Sequence, residues 1–315
     1  MMDIVIQTVV LGLAWFVAVN AIASVVSWSI GLSVPALERS ERPELLLLIR
    51  LFPAVASLIF VAAIFLPSHW VMEPRDADES LGLAWYVLAA AGALLLARSV
   101  ARAASVAKTG RRLRAGERRA DVAFADVHEV EGVSGVSLAG VLRTRVMIGP
   151  AVAKHLSAAE LEVAVAHELA HRAAFDNLAR WSMRCAPDFL GRTRVARRVE
   201  QAWHGAAEAR ADARATHGDR LRAVHLASAL VKVARLGGAP GAAPVAMVWS
   251  TLHDPALLEW RVKRLVGGAV TNACPRRSRG LVLVAVTFAA IALAASPIFS
   301  GLVHRLTETL VSLLP

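Results

Sequence analysis

Apolar residues run in long unbroken stretches at the front of the chain and again near its end, separated by short polar links. Residues 4–32 are almost free of charge. At about 1.5 Å of rise per residue, a helix of that length exceeds the roughly 30 Å of bilayer hydrocarbon. Two further stretches, 45–66 and 81–97, and a fourth at 280–303, complete a prediction of four transmembrane helices. In the second, Arg50 is expected to snorkel to the headgroups, Pro53 to start or kink the helix, and Pro67 to mark its end. A cleaved signal peptide does not fit the first stretch, which is too long and is preceded only by the acidic Asp3.

Between residues 121 and 275 the pattern becomes mixed. Residues 127–148 read as short strands broken by Gly132, Gly135 and Gly140, a hairpin in which 141–148 would be the strand nearest any site on the following helix. Ser157-Ala158-Ala159-Glu160 is a capping box, so that helix should begin at Ser157, and residues 163–174 hold no Gly or Pro to interrupt it. After a loop at 187–192, a second helix is expected over 195–216, ended by Gly218. A third is expected over 221–236, capped by Asp219, with Leu221, Val224, Ala227 and Val231 as its core positions. Residues 237–244, rich in Gly and Pro, form a turn or linker.

Composition sharpens this reading. With 56% hydrophobic residues in 315 and a mean hydropathy of +0.52, the chain is too apolar for an ordinary soluble enzyme. Its net charge of +10 is concentrated in part at 98–120, in Arg98, Arg102, Lys108, Arg111, Arg112, Arg114, Arg118 and Arg119. Beside apolar spans this is the mark of a juxtamembrane segment on anionic lipid, and no nucleic acid is expected as a partner. The link at 68–80 is acidic, with Glu73, Asp76, Asp78 and Glu79 against Arg75. The charges therefore put the N-terminus outside and the 121–275 region in the cytoplasm of a multi-pass cell-membrane protein. Cys185 and Cys274 belong to no C-x-x-C pair, which argues against a disulfide framework or a cysteine metal site.

The predicted helix starting at Ser157 carries His167-Glu168-Leu169-Ala170-His171. Residues four apart share a helix face, so both imidazoles can grip one Zn²⁺, while Glu168 stands beside the metal as general base. A third protein ligand is needed. The second helix offers His204, Glu208 and Asp212 at steps of four, and spacing alone leaves the choice between His204 and Glu208 open. With Glu208 as ligand, Asp212 can hold the far nitrogen of a ligand histidine, a supporting role for which Asp176 is another candidate. Candidates to stabilise an oxyanion are His217, His225 and Arg214, none of them assigned.

The run HELAHRAAFDNLARW, followed by EARAD, resembles the membrane-embedded gluzincin peptidases, specifically the BlaR/MecR-type antirepressor peptidases and more distantly the HtpX-like and CAAX prenyl proteases. The resemblance covers roughly residues 135–265. It implies His167, His171 and Glu208 as zinc ligands, Glu168 as base and Asp212 as support. It also implies a mainly α membrane protein: four transmembrane helices with a cytoplasmic α+β zincin-like domain and a small edge sheet that binds substrate along a strand. Residues 253–261 are similar to the H-P-x-x-x-x-R segment of related enzymes, but Asp254 is inserted between His253 and Pro255, so only a structural role carries over to Arg261. The expected activity is zinc-dependent endoproteolysis of a cytoplasmic or membrane protein, with the bilayer and a repressor or membrane sensor as partners. With only about a dozen residues expected after the fourth span, an extracellular sensor of its own is not expected, a departure from the family pattern that puts beta-lactam sensing in doubt. The alternatives are a constitutive quality-control protease and a non-catalytic scaffold with a structural zinc.

Overall fold

A computed structural model describes residues 2–32, 42–72, 81–114, 118–119, 127–131, 133, 135–237, 250–251, 255–268 and 297–314. Three of its helices are long and apolar enough to cross a membrane: α1 (Met2–Gly31), α2 (Pro43–Met72) and α3 (Leu83–Arg114). They match the first three expected spans, with two corrections. Pro43, not Pro53, starts α2, and Pro67 lies inside it. Pro67 has no N–H to give the carbonyl of Ala63, and the turn just before it, Val61–Phe65, is π-helical, which accommodates the lost bond without ending the helix. Helix α3 continues through Arg98 and Arg102 to Arg114, so the start of the basic segment is a helical extension.

Arg50 does not snorkel. Its side chain is 2% exposed and donates to Glu200 Oε1 (2.6 Å), Asp188 Oδ2 (2.6 Å) and the carbonyl of Met183 (2.9 Å). A guanidinium can be buried when its charge and donors meet carboxylates, and here they come from the second half of the chain. Asn20 of α1 adds to the seam, donating to the carbonyls of Pro53 (3.2 Å) and Pro187 (2.9 Å) and accepting from Phe189 N (3.3 Å).

The sheet has the order β1-β2-β4-β3-β5, from β1 (Arg118–Arg119), β2 (Val127–Glu129), β3 (Val136–Ala139), β4 (Arg145–Ile148) and β5 (Ser250–Thr251). The hairpin is β3–β4, but residues 141–144 form its turn and not a strand. Gly140, at φ 96°, opens that turn, where a Cβ would sit 2.5 Å from the Arg143 carbonyl. Since β4 is flanked by β2 and β3, it offers no edge, and β3 is the strand packed more closely on the helix that carries the histidines.

Five helices succeed the hairpin: α4 (Pro150–His155), α5 (Ala158–Ala173), α6 (Asp176–Cys185), α7 (Arg194–Thr216) and α8 (Arg220–Gly237). Another, α9 (Pro255–Val266), packs on α8. Val136, Leu138, Val146 and Ile148 of the sheet bury against Val163 and Val165 of α5 and Leu226, Leu230 and Val233 of α8. Of the core positions expected for α8, Ala227 is buried and Val231 half-buried, but Leu221 and Val224 are exposed, and Ala223, Leu226, Leu230 and Val233 join Ala227 inside.

The expected fourth span lies outside the described residues as far as 296. From Pro297 the chain forms α10 (Pro297–Leu313), packed on α1 and α2: Trp15 Nε1 donates to Thr307 Oγ1 (3.1 Å), and Ser68 Oγ to the carbonyl of Ser300 (2.7 Å).

The capping box forms as expected, with Ser157 N donating to Glu160 Oε2 (2.8 Å) and Glu160 N to Ser157 Oγ (3.3 Å). Glu160 also accepts from Ser228 Oγ (2.6 Å) and Lys232 Nζ (2.7 Å) and so ties α5 to α8. Burial works to raise its pKa, but the bonds from Lys232, Ser228 and Ser157 prevail and hold it at about 2, below the ordinary 4.5. A depressed native pKa adds stability that is fully present above the ordinary value and is lost as pH falls from about 4.5 to about 2. Glu160→Ala is expected to cost about 1–2 kcal/mol at neutral pH. It should also flatten the acid limb of a melting-temperature profile.

Candidate metal centre

Two helices meet at the site. Helix α5 presents His167, Glu168 and His171, and α7 presents Glu208 and Asp212; all five are buried. A two-residue turn ends α5 and starts α6 at Asp176, with Phe175 held at φ 56° in the left-handed region. That turn folds Asp176 back onto the helix that precedes it.

Each imidazole is gripped at its far nitrogen. His167 Nδ1 lies 2.9 Å from Asp212 Oδ1, and His171 Nδ1 lies 2.7 Å from Asp176 Oδ2. A carboxylate at Nδ1 places the proton there and leaves Nε2 with a free lone pair, the tautomer a metal requires. The two Nε2 atoms are 3.1 Å apart, and Glu208 oxygens lie 3.3 Å from each. A tetrahedral zinc with bonds of about 2.0–2.2 Å would separate its ligand atoms by roughly 3.3–3.5 Å. Here Oε2 of Glu208 faces His167 and Oε1 faces His171, and one ligand atom from each of His167, His171 and Glu208 lies within 4.8 Å of the others, so the group could hold a metal ion.

Of the two candidates for a third ligand, one lies with the histidines. Glu208 joins the histidines, whereas His204, one turn earlier on α7, stands edge-on to Trp203 and outside the group. Burial, aided by Arg180, lowers the His204 pKa to about 4.

Two guanidinium groups surround Glu208. Arg180 Nη2 donates to Oε1 (3.2 Å) and its guanidinium also lies over the Trp203 ring. Arg261 Nη1 approaches Oε2 at 3.0 Å, but out of line, so this oxygen has no hydrogen-bond partner among the described residues. Burial works to raise the Glu208 pKa, but His171 and Arg261 prevail and hold it well below the carboxylate range, so the carboxylate is ionised. Arg261, 1% exposed, also grips Asp212 with Nε (3.0 Å) and Nη2 (2.6 Å). Its part is thus larger than the structural one expected, since it braces Glu208 and the carboxylate behind His167 at once.

On the other side, Arg210 Nη2 donates to Asp176 Oδ1 (2.5 Å) and its Nη1 to Glu44 Oε1 (2.6 Å) at the start of α2. Neither Arg180 nor Arg210 is singled out by the sequence, since Arg180 lies 28 positions from Glu208 and Arg210 34 positions from Asp176. Of the oxyanion candidates, His217 takes the left-handed position closing α7 (φ 51°), a structural task. The cations brought to the centre are Arg180 and Arg261 instead.

Burial works to lower the His171 pKa, but Glu208 and Asp176 prevail and raise it to about 9. Imidazolium and metal compete for the same Nε2, so a cation would bind with release of a proton. Glu168 is different. It is wholly buried, and neither carboxylate oxygen has a hydrogen-bond partner among the described residues. Burial raises its pKa to about 7 against the opposing pull of His167 and His171.

A scan against protein-family models and a search of curated proteins returned no match. The donor set must be judged by its own chemistry. Two imidazoles, each with Nδ1 turned to a carboxylate, and an ionised Glu208 form a donor set of the kind that zinc takes. The supporting carboxylates give a measurable expectation: Asp176→Ala should weaken zinc binding about 10–100-fold in competition with a chelator, while Arg210 keeps Glu44 as partner.

Proposed function

We propose that the chain is a membrane-embedded zinc endopeptidase acting on a cytoplasmic or membrane protein. One observation carries the reading: Glu168, buried without a hydrogen-bond partner among the described residues, stands in the same helix turn as two imidazoles whose Nε2 atoms converge with Glu208. A structural metal site has no use for such a carboxylate, and its burial is costly. His167, His171 and Glu208 would hold the ion, and Asp212 and Asp176 would fix the ring orientations. A zinc ion bound there supplies Lewis acidity, polarising the scissile carbonyl and bringing the pKa of water down to about 7. Glu168 accepts the proton of the attacking water and passes it to the departing amine. A carboxyl with a pKa near neutrality suits both transfers.

On this reading the centre lies on the cytoplasmic side, with the N-terminus outside and a fourth span at 280–303, in keeping with the basic and acidic links. Regulated cleavage of a repressor-like partner is the form favoured by the resemblance to antirepressor peptidases.

The test is cleavage of a peptide mixture by the purified full-length protein in lipid nanodiscs. Cleavage should vanish on chelation and return with one equivalent of zinc. Cleavage that survives chelation overturns the zinc mechanism, and none in the zinc-loaded protein overturns the proposal and leaves a scaffold with a structural metal.

A further inference from the structure

A cavity of about 250 Å³ opens on the His171 side of the centre. Its apolar wall is formed by Leu138, Val141, Leu142 and Phe175, and Arg143 and Arg172 also line it. His171, though wholly buried, reaches its lining, so an occupant lies beside a metal ligand. Two features mark the wall. Phe175 is 66% exposed and Leu142 80% exposed, an unusual placement for large apolar side chains on one cavity. Phe175 also sits at φ 56°, a conformation that bulky residues rarely hold and that recurs at ligand clamps. Behind it, the Asn177 amide donates to the carbonyls of Leu138 and Gly140 (both 2.8 Å), which fixes the strand end and turn that form the opposite side.

Size and charge select the occupant. An apolar cavity of about 150 Å³ accepts benzene. The larger volume here takes one leucine, methionine or phenylalanine side chain. The guanidinium groups of Arg143 and Arg172, both exposed, favour a carboxylate beside that side chain. We propose that this cavity is a substrate subsite next to the scissile bond, taking a large apolar residue flanked by an acidic one. The assignment rests on the peptidase reading above and goes beyond it by naming the sequence that is cut.

The test maps cleavage sites by mass spectrometry in a proteome-derived peptide mixture, using the full-length zinc-loaded protein in nanodiscs and counting only cuts missing with Glu168→Gln. Wild type should show Leu, Met or Phe at one fixed position next to the cut, with Asp or Glu enriched alongside. Arg143→Glu combined with Arg172→Glu should shift the ratio of kcat/KM for acidic over basic flanks at least tenfold toward basic. Thr144→Trp, which fills the cavity from its rim, should move the apolar preference to Ala or Gly. Zinc content of one per chain in each variant establishes that the centre is folded. Unchanged site preference in both active variants overturns the subsite alone. Loss of cleavage with zinc retained in only the charge-reversed protein supports it. Identical peptide patterns from wild type and Glu168→Gln overturn the peptidase reading, and the subsite with it.

Discussion

Replacing Glu168 with Gln is expected to leave one zinc per chain and to lower kcat/KM for peptide cleavage about 10²–10⁴-fold, the span general acid–base catalysis supplies. The substitution removes no hydrogen bond that the described residues provide, since both oxygens of Glu168 lack one. It also keeps the shape of the side chain, so the ligand triangle next to it stays in place. Because a buried carboxyl whose pKa has risen to about 7 strains the fold, the variant should melt no lower than wild type, the pattern of a residue kept for function at the expense of stability. Zinc stoichiometry, melting temperature and cleavage rate on one preparation decide it. A marked fall in melting temperature would mean that the residue holds the fold together, and unchanged cleavage would remove it from the chemistry.

The second large effect is expected at Arg50. Arg50→Ala should destabilise the protein by about 3–5 kcal/mol, because it leaves Asp188, wholly buried in its side chain, as an uncompensated charge. Asp188→Ala should cost less, since Arg50 keeps Glu200 and the Met183 carbonyl as partners. A triple replacement, Arg50→Met with Asp188→Leu and Glu200→Leu, should recover most of the loss, since an apolar trio has no charge to bury. Thermal unfolding of the zinc-loaded variants in one detergent measures all three. An Arg50→Ala protein that melts within a degree or two of wild type would show a side chain in contact with headgroups, as α2 taken in isolation suggests.

The residues legible in the sequence are those whose signal is local. The capping box announces α5, the four-residue steps put both histidines on one face and Glu208 with Asp212 on another, and Asp176 lies five positions from the ring it holds. Arg50 and Arg261 carry no such signal, because Asp188 is 138 positions from the first and Asp212 is 49 from the second. In α8 the inward positions include Ala223, Ala227 and Ala229. Alanine contributes little to an apolar stripe, so Ala223 and Ala229 escape notice while Leu221 and Val224 stand out beside Ala227. Helix α3 outruns the expected span because charge marks where a helix leaves lipid, whereas only Gly, Pro or a cap marks where it stops. The strand expected over 141–148 is halved by the turn at Gly140, where a side chain would collide with the Arg143 carbonyl.

Glu44, Arg210, Asp176 and His171 succeed one another in three contacts of 2.6, 2.5 and 2.7 Å. The first of them stands in the opening turn of a helix that is apolar enough to lie in lipid, and the last is a candidate ligand. The extraction medium thereby becomes part of the metal chemistry: a micelle that lets α2 tilt pulls on an imidazole three links away. Metal affinities taken in detergent and in a bilayer are therefore expected to differ.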